Sequence, residues 1–215
     1  MYEPPLHRQD DTAAVHALIA AHPLGLLISH GPQGLLANAL PFLIDAQVGK
    51  WGRLRAHMAR ANSQWRDLAE GGEALVVFQG PGHYISPSLY ATKAETGKVV
   101  PTWNYLIAQA RGVARVVMDD EWLQSQIEAL TNAHESPRAK PWAVGDAPPD
   151  YVAMQKRAIV GVEIDISDLS GKWKVSQNRN ESDRTGVIAG LGLEEGEDAR
   201  AIAKAVLDAS KMERA

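Results

Sequence analysis

The sequence predicts an α+β fold dominated by antiparallel strands, a closed or half-closed barrel with helices packed outside it. Short apolar or alternating runs recur with Gly/Pro-containing turns between them, the pattern of antiparallel β structure. Few of these runs alternate with helical patterns, which argues against a doubly wound parallel sheet. At 215 residues, 45% apolar and 22% charged, the chain has the length and composition of one globular domain or one domain with an appended piece.

Taken in order, Thr12 to Ala21 places Val15, Leu18 and Ile19 on one face and reads as a short helix ended before Pro23. Leu24–Ser29 and Leu35–Ile44 flank Gly31-Pro-Gln-Gly34 and read as a hairpin, with Pro41 marking an edge or a bulge. Trp51 to Met58 alternates and reads as a third strand, and Asn62 caps a short helix from Ser63 to Glu70. Glu73 to Gln79 is an apolar strand, and Gly80-Pro-Gly82 reads as a sharp turn into another extended piece. Val99–Tyr105 and Gly112–Met118 bring the set to about six strands. Asp119 and Asp120 open an amphipathic helix with Trp122, Leu123, Ile127 and Leu130 on its apolar face. The proline-rich stretch 136–150 reads as an irregular connection, then a short helix around Tyr151–Arg157 leads into an alternating strand, Ala158–Ile166. Helices near Asp183–Ala189 and from about Asp198 to Ala209 close the chain.

Several function classes fall away. There is no cysteine, which removes thiolate nucleophiles, iron–sulfur clusters and thiolate zinc sites and gives a cytoplasmic expectation. No apolar run approaches the ~18 residues of a membrane span. The net charge of -4 gives no global field toward nucleic acid. The seven histidines lack the spacing of a zinc site, so no metal is expected. Gly190-Leu-Gly-Leu-Glu-Glu-Gly196 has the wrong spacing for a dinucleotide loop, and its two glutamates would repel a pyrophosphate.

The aromatic balance is more informative: six Trp and five Tyr against two Phe, so most rings carry a polar edge. Three segments concentrate polar chemistry. His57 to Trp65 places His57 and Arg60 before a capped helix start, a phosphate cradle, although alone a surface arginine beside a capping Asn is the simpler reading. Val100 to Tyr105 carries Trp103 and Asn104, which suit either a planar polar-edged ligand or a subunit interface. Gly171 to Arg179 concentrates Lys172, Lys174 and Arg179, with alternation placing Lys172, Lys174 and Ser176 on one face of an extended segment. Glu181 and Asp183 interrupt the patch, so one small anion fits it better than a long phosphate track. Together these suit a flat heteroaromatic ring bearing one phosphate.

Met1-Tyr-Glu-Pro-Pro5, Ala37-Asn-Ala-Leu-Pro-Phe42, His57-x-Ala-Arg60-Ala-Asn62-x-x-Trp65, Phe78-Gln-Gly-Pro81, Tyr84-Ile-Ser-Pro-Ser88, Val99-Val-Pro-Thr-Trp-Asn-Tyr105 and Lys172-Trp-Lys-x-Ser-Gln-Asn-Arg179 occur in this order. In them the chain resembles the PaiB-type FMN-binding negative transcriptional regulators from residue 1 to about 193. The resemblance implies an FMN-binding split barrel with flanking helices over 1–193, as in pyridoxamine-phosphate-oxidase-like flavoproteins, and a C-terminal helix over 194–215 packed on it or extending from it. It implies a homodimer with FMN at the subunit interface. His57 and Arg60 would face the FMN phosphate, Asn38 and Tyr84 the ribityl chain or ring edge, and Trp103 and Asn104 the isoalloxazine. Lys174, Ser176 and Gln177 would reach in from the C-terminal half of either subunit. Ser63 stands where the family commonly has proline and Leu89 where it commonly has tryptophan; the first loosens a helix entry and the second removes a ring.

The resemblance implies a regulator. A flavin-dependent reductase or oxidase of a small substrate, without direct DNA binding, is the alternative, although no motif for a second nucleotide cofactor is visible. Regulation through DNA lacks a helix-turn-helix and a favourable charge. Haem binding has no marked ligand histidine.

Overall fold

The computed structural model describes residues 1–32, 34–69 and 71–212. Gln33 of the expected hairpin turn, Glu70 at the end of the expected helix, and the last three residues of the 194–215 segment lie outside them. A short strand β1 (Arg8–Gln9) precedes helix α1 (Thr12–Ala21); then come β2 (Leu24–Gly31), β3 (Gly34–Pro41), β4 (Leu43–Asp45) and β5 (Arg53–Ala59). Helix α2 (Gln64–Ala69), β6 (Glu73–Ile85), α3 (Thr92–Thr96) and β7 (Thr102–Val117) follow. The chain continues with α4 (Asp120–Glu135), α5 (Pro149–Arg157), β8 (Ile159–Lys174), α6 (Glu181–Leu193) and α7 (Glu197–Met212). No described helix is long and apolar enough to cross a membrane.

The chain forms two compact units. One comprises Met1–Val15, Gln79–Ala108 and Ser170–Ala215; the other comprises His16–Phe78 and Gln109–Leu169. We call them the terminal unit and the central unit.

In the central unit the strands run in the order β3-β2-β6-β7-β8-β5-β4. The pairings β2–β3, β2–β6 and β5–β8 are antiparallel: Leu27 faces Asn38 across β2–β3, Leu26 faces Val77 across β2–β6, and His57 faces Gly161 across β5–β8. Strict alternation in β5 buries Leu54, Ala56 and Met58 on one face and sets Arg53, Arg55 and His57 on the other. Phe42 and Phe78 meet edge to face, with ring centres 5.6 Å apart. Asp119 caps α4 by accepting from the Trp122 backbone N–H at 2.8 Å.

The terminal unit is built around a different core. Ile85, Tyr90, Val175, Val187, Leu191, Ile202 and Val206 are buried together, so α6 and α7 pack their apolar stripes on strand ends and loops. Gly186 and Gly190 let α6 approach Leu89: a Cβ on Gly186 would lie 2.1 Å from the Leu89 carbonyl oxygen. Gly190 therefore serves helix packing. Asn180 caps α6, and the buried Asp183 carboxylate accepts from the backbone N–H of Thr92 at 2.9 Å and from its hydroxyl at 3.0 Å.

The elements differ from the expected ones chiefly in length. Gly80-Pro-Gly82 does not turn; it lies inside β6, because a proline without an N–H is tolerated where the ladder does not need one. The two runs expected at 99–105 and 112–118 are parts of one sixteen-residue strand, β7. Its middle, Leu106–Arg111, is rich in residues with weak strand preference, yet Ala108, Ala110 and Ala114 are buried on one face. Gly112 on that face packs so closely that a Cβ would sit 2.1 Å from the Asp165 carbonyl oxygen. Strand β8 likewise continues past Ile166 to Lys174. The extended segment expected through Ser176 stops there, and Ser176 turns into the left-handed region at φ 62°.

Candidate functional site

In the terminal unit, strand β7 begins beside the end of β8 and brings together most of the singled-out residues of that unit. Asn104 is fully buried and its Nδ2 donates to the Ser176 hydroxyl at 2.8 Å, while its Oδ1 is buried with no partner. Lys174 Nζ donates to the Trp103 carbonyl at 2.6 Å and to the Thr102 hydroxyl. Gln177 is held from three sides: its Oε1 accepts from the Val175 N–H at 2.8 Å and lies 2.9 Å from His7 Nδ1, and its Nε2 donates to the Trp173 carbonyl at 2.5 Å. Trp103 and Tyr84 meet edge to face at 6.2 Å and remain open to solvent, at 57% and 44% exposure. The same unit thus holds two exposed amphipathic rings and a buried, unsatisfied amide oxygen.

Several cations stand in the same unit. Lys172 is only 8% exposed, donates to the Tyr2 carbonyl at 3.1 Å and lies over the rings of Tyr2 and Tyr105 at 5.4 and 5.5 Å. Arg179 lies over Tyr90 at 4.3 Å. Burial, then the neighbouring Lys172 and Arg179, hold the Lys174 ammonium below its usual pKa. Burial likewise depresses the His7 imidazole, with Lys174 and Lys172 adding to the effect against the opposing bond to Gln177.

The singled-out residues of the central unit are placed differently. Asn38 Nδ2 donates to the Gln64 Oε1 at 2.9 Å. Gln64 is itself fully buried, with its Nε2 within hydrogen-bond reach of the Leu27 carbonyl, the Ser29 hydroxyl and the Leu36 carbonyl. Arg60 spends its guanidinium on the Arg157 and Ile159 carbonyls at 2.9 and 3.2 Å and on the Met118 sulfur at 3.8 Å, leaving two of its five N–H groups uncommitted. His57 Nδ1 is buried with no partner, and burial lowers its pKa. His57 shares its sheet face with Arg53 and Arg55, opposite Gly161, over which the Trp122 ring closes so tightly that a Cβ there would lie 2.2 Å from it. Beside it, Glu163 accepts from Arg115 and, at 2.7 Å, from the Trp122 indole.

Sequence reading passed over Gln64 and His7. Gln64 sits inside a motif already noted, between a capping Asn62 and Trp65, and an apolar helix face that includes a glutamine is a weak signal. His7 lies 170 residues from Gln177, and nothing in local sequence links them.

Comparison with known proteins bears on this geometry. The family model described as "Putative FMN-binding domain" matches residues 1–168. A protein of Emericella nidulans is 38% identical, covering 89% of this chain and 90% of its own. The Bacillus subtilis protease synthase and sporulation protein PAI 2 is 29% identical, covering 98% of this chain and 99% of its own. Among solved structures, the FAD and heme binding protein from Mycobacterium smegmatis superposes with a TM-score of 0.58 at 19% identity, covering 86% of this chain and 80% of that one. The flavocytochrome Anf3 from Azotobacter vinelandii gives 0.56 at 15% identity, covering 83% and 74%. The antiparallel sheet with flanking helices is thus the split-barrel fold. This chain belongs to the FMN-binding domain family that its own motifs resemble.

Proposed function

We propose that the protein is a cytoplasmic FMN-binding homodimer of the PaiB regulator type, with the flavin at the subunit interface. A flavin fits the residues present. Asn104 offers a buried acceptor with no partner, Trp103 and Tyr84 offer exposed ring edges, and Lys174, Ser176 and Gln177 surround them with fixed donors and acceptors. In the central unit, Asn38, His57 and Arg60 are the proposed contacts to the flavin's ribityl chain and phosphate. When bound, FMN supplies any redox chemistry; the chain supplies orientation and exclusion of water. The folding domain of this reading is 1–193, with the helix from 194 onward packed on it.

The single observation that carries the reading is the buried, unsatisfied Asn104 Oδ1, one residue along β7 from the solvent-open Trp103 ring. Self-association is supported by the hairpin of β2 and β3, where Leu24 faces Pro41 and Leu26 faces Ala39. Leu24 and Leu26 are exposed there, as is Leu35 at 74%, an apolar face on an edge of the central unit's sheet. A regulatory role is supported by likeness to the Bacillus protein alone, and the net charge of -4 favours regulation through a partner or metabolism over direct DNA contact.

The test is the absorbance spectrum of the purified protein and its titration with FMN, alongside its mass in solution. Flavin uptake by a dimer is the expected result; a colourless monomer that refuses FMN overturns the reading. Arg60→Ala is expected to weaken FMN binding by about 1.5–3 kcal/mol, read by flavin fluorescence quenching, and unchanged affinity removes Arg60 from the phosphate site. Rapid bleaching of the flavin on anaerobic addition of NADH or NADPH, with no mobility shift on DNA, would instead make the protein a reductase.

A further inference from the structure

Buried or half-buried cations in folded proteins are normally matched by carboxylates, since an unmatched buried charge is costly. Lys172, Lys174 and Arg179 break this rule together. Among the described residues, none of the three has a carboxylate within 4 Å. Lys172 and Lys174 lie two residues apart on one face of β8, and Arg179 follows in the turn closed by its backbone N–H to the Ser176 carbonyl at 3.0 Å; both Lys172 and Arg179 depress the Lys174 ammonium. Their protein hydrogen bonds go to neutral oxygens: Lys172 to the Tyr2 carbonyl, Lys174 to Thr102 and the Trp103 carbonyl. With three hydrogens per ammonium, two on Lys172 and one on Lys174 remain to be accepted. The nearby imidazole of His7 is held toward its neutral form, so it adds no further charge at neutral pH.

We propose that Lys172, Lys174 and Arg179 form a binding site for one phosphoryl group. Three cations without counter-charge match a phosphate monoester, which is dianionic above about pH 6, better than a single carboxylate. A compact ammonium pair and a guanidinium supply the point charges and the planar fork that phosphate oxygens accept. Lys172 is more than nine-tenths buried and held between two tyrosine rings, so the site is built into the fold and is not a chance gathering of surface lysines. The phosphoryl group has two sources: the flavin's own phosphate, in which case these cations rather than His57 and Arg60 hold it, or a second phosphomonoester; only the first rests on the flavin reading.

Calorimetric titration of the flavin-free protein with inorganic phosphate, at constant ionic strength set by sodium chloride, tests the site. Saturable binding is expected, weakened about tenfold or more in Lys174→Gln and in Arg179→Gln. Lys172→Met adds the buried member, with circular dichroism to verify its fold; the two less buried positions keep the test decisive if that variant fails to fold. Absence of saturable binding, or binding lost in Arg60→Ala and kept in the other variants, overturns the proposal. FMN and riboflavin arms separate the sources. Displacement of phosphate by FMN but not riboflavin assigns the site to the flavin phosphate, and unchanged phosphate affinity in the FMN-loaded protein assigns it to a second ligand. Phosphate binding without any flavin binding would break the flavin reading and leave this site standing.

Discussion

The two units treat their charged groups differently. In the central unit several charged and amide groups are answered by other protein groups, although His57 Nδ1 and both ends of the buried Gln126 amide are not. Glu163 is shared by Arg115, Trp122 and, at 3.7 Å, Arg53; Lys156 holds Asp120 at 2.7 Å; Gln64 is satisfied on both ends. In the terminal unit Lys172, Lys174 and Arg179 lack carboxylates, an amide oxygen is left over, and two large rings face solvent. The difference teaches where to look for a ligand. A self-satisfied network makes a scaffold, whereas a set of fixed, unanswered groups has its answer elsewhere.

The contrast can be broken by substitution. Gly112→Val, in the central scaffold, drives a side chain into the Asp165 carbonyl, and a loss of about 3 kcal/mol or more is expected in urea unfolding. Gln64→Leu strips the buried amide from Asn38, Ser29 and two carbonyls and is expected to cost about 2–3 kcal/mol. Asn104→Ala, equally buried, removes one bond and one unanswered oxygen, so its cost by the same urea measurement is expected to be smaller, about 1 kcal/mol. Its larger effect is expected on flavin affinity. Equal costs at Gln64 and Asn104 would erase the distinction between the units.

The smallest effect concerns pH. The folded His57 pKa lies below its unfolded value near 6.5, so above that pH both states are neutral and nothing is lost. As pH falls from about 6.5 toward the folded pKa, the unfolded chain takes up a proton that the folded one refuses, and stability declines. His57→Leu is expected to flatten that acid-side slope between pH 7.5 and 5.5 without removing it, because His7 is depressed in the same direction.

Much of this arrangement is legible in the sequence, and its limits are physical. Alternation located β5 and its two faces, and Asp119 announced α4, whereas α6 was expected only near Asp183–Ala189 and its cap, Asn180, is seen in the structure. The long strands β6, β7 and β8 were seen only as fragments. Gly80-Pro-Gly82 carries turn chemistry that strand pairing overrides, and Leu106–Arg111 owes its extended form to close sheet packing around small residues. For the candidate site, the pairing of Trp103 and Asn104 with Lys174 and Ser176 was readable as a set of polar-aromatic segments. The absence of counter-charge around Lys172 was not, since Glu181 and Asp183 lie close in sequence while Asp183 turns its carboxylate to Thr92.

Ser176 carries a consequence of its own. A serine held at φ 62° occupies a conformation that a glycine would adopt more easily, at a penalty of about 1–2 kcal/mol. What the chain receives in exchange is one fixed lone pair for Asn104 Nδ2, which sets which end of that buried amide is left without a partner. A glycine here would relax the backbone and free the amide to flip, turning a directional acceptor into an indifferent one.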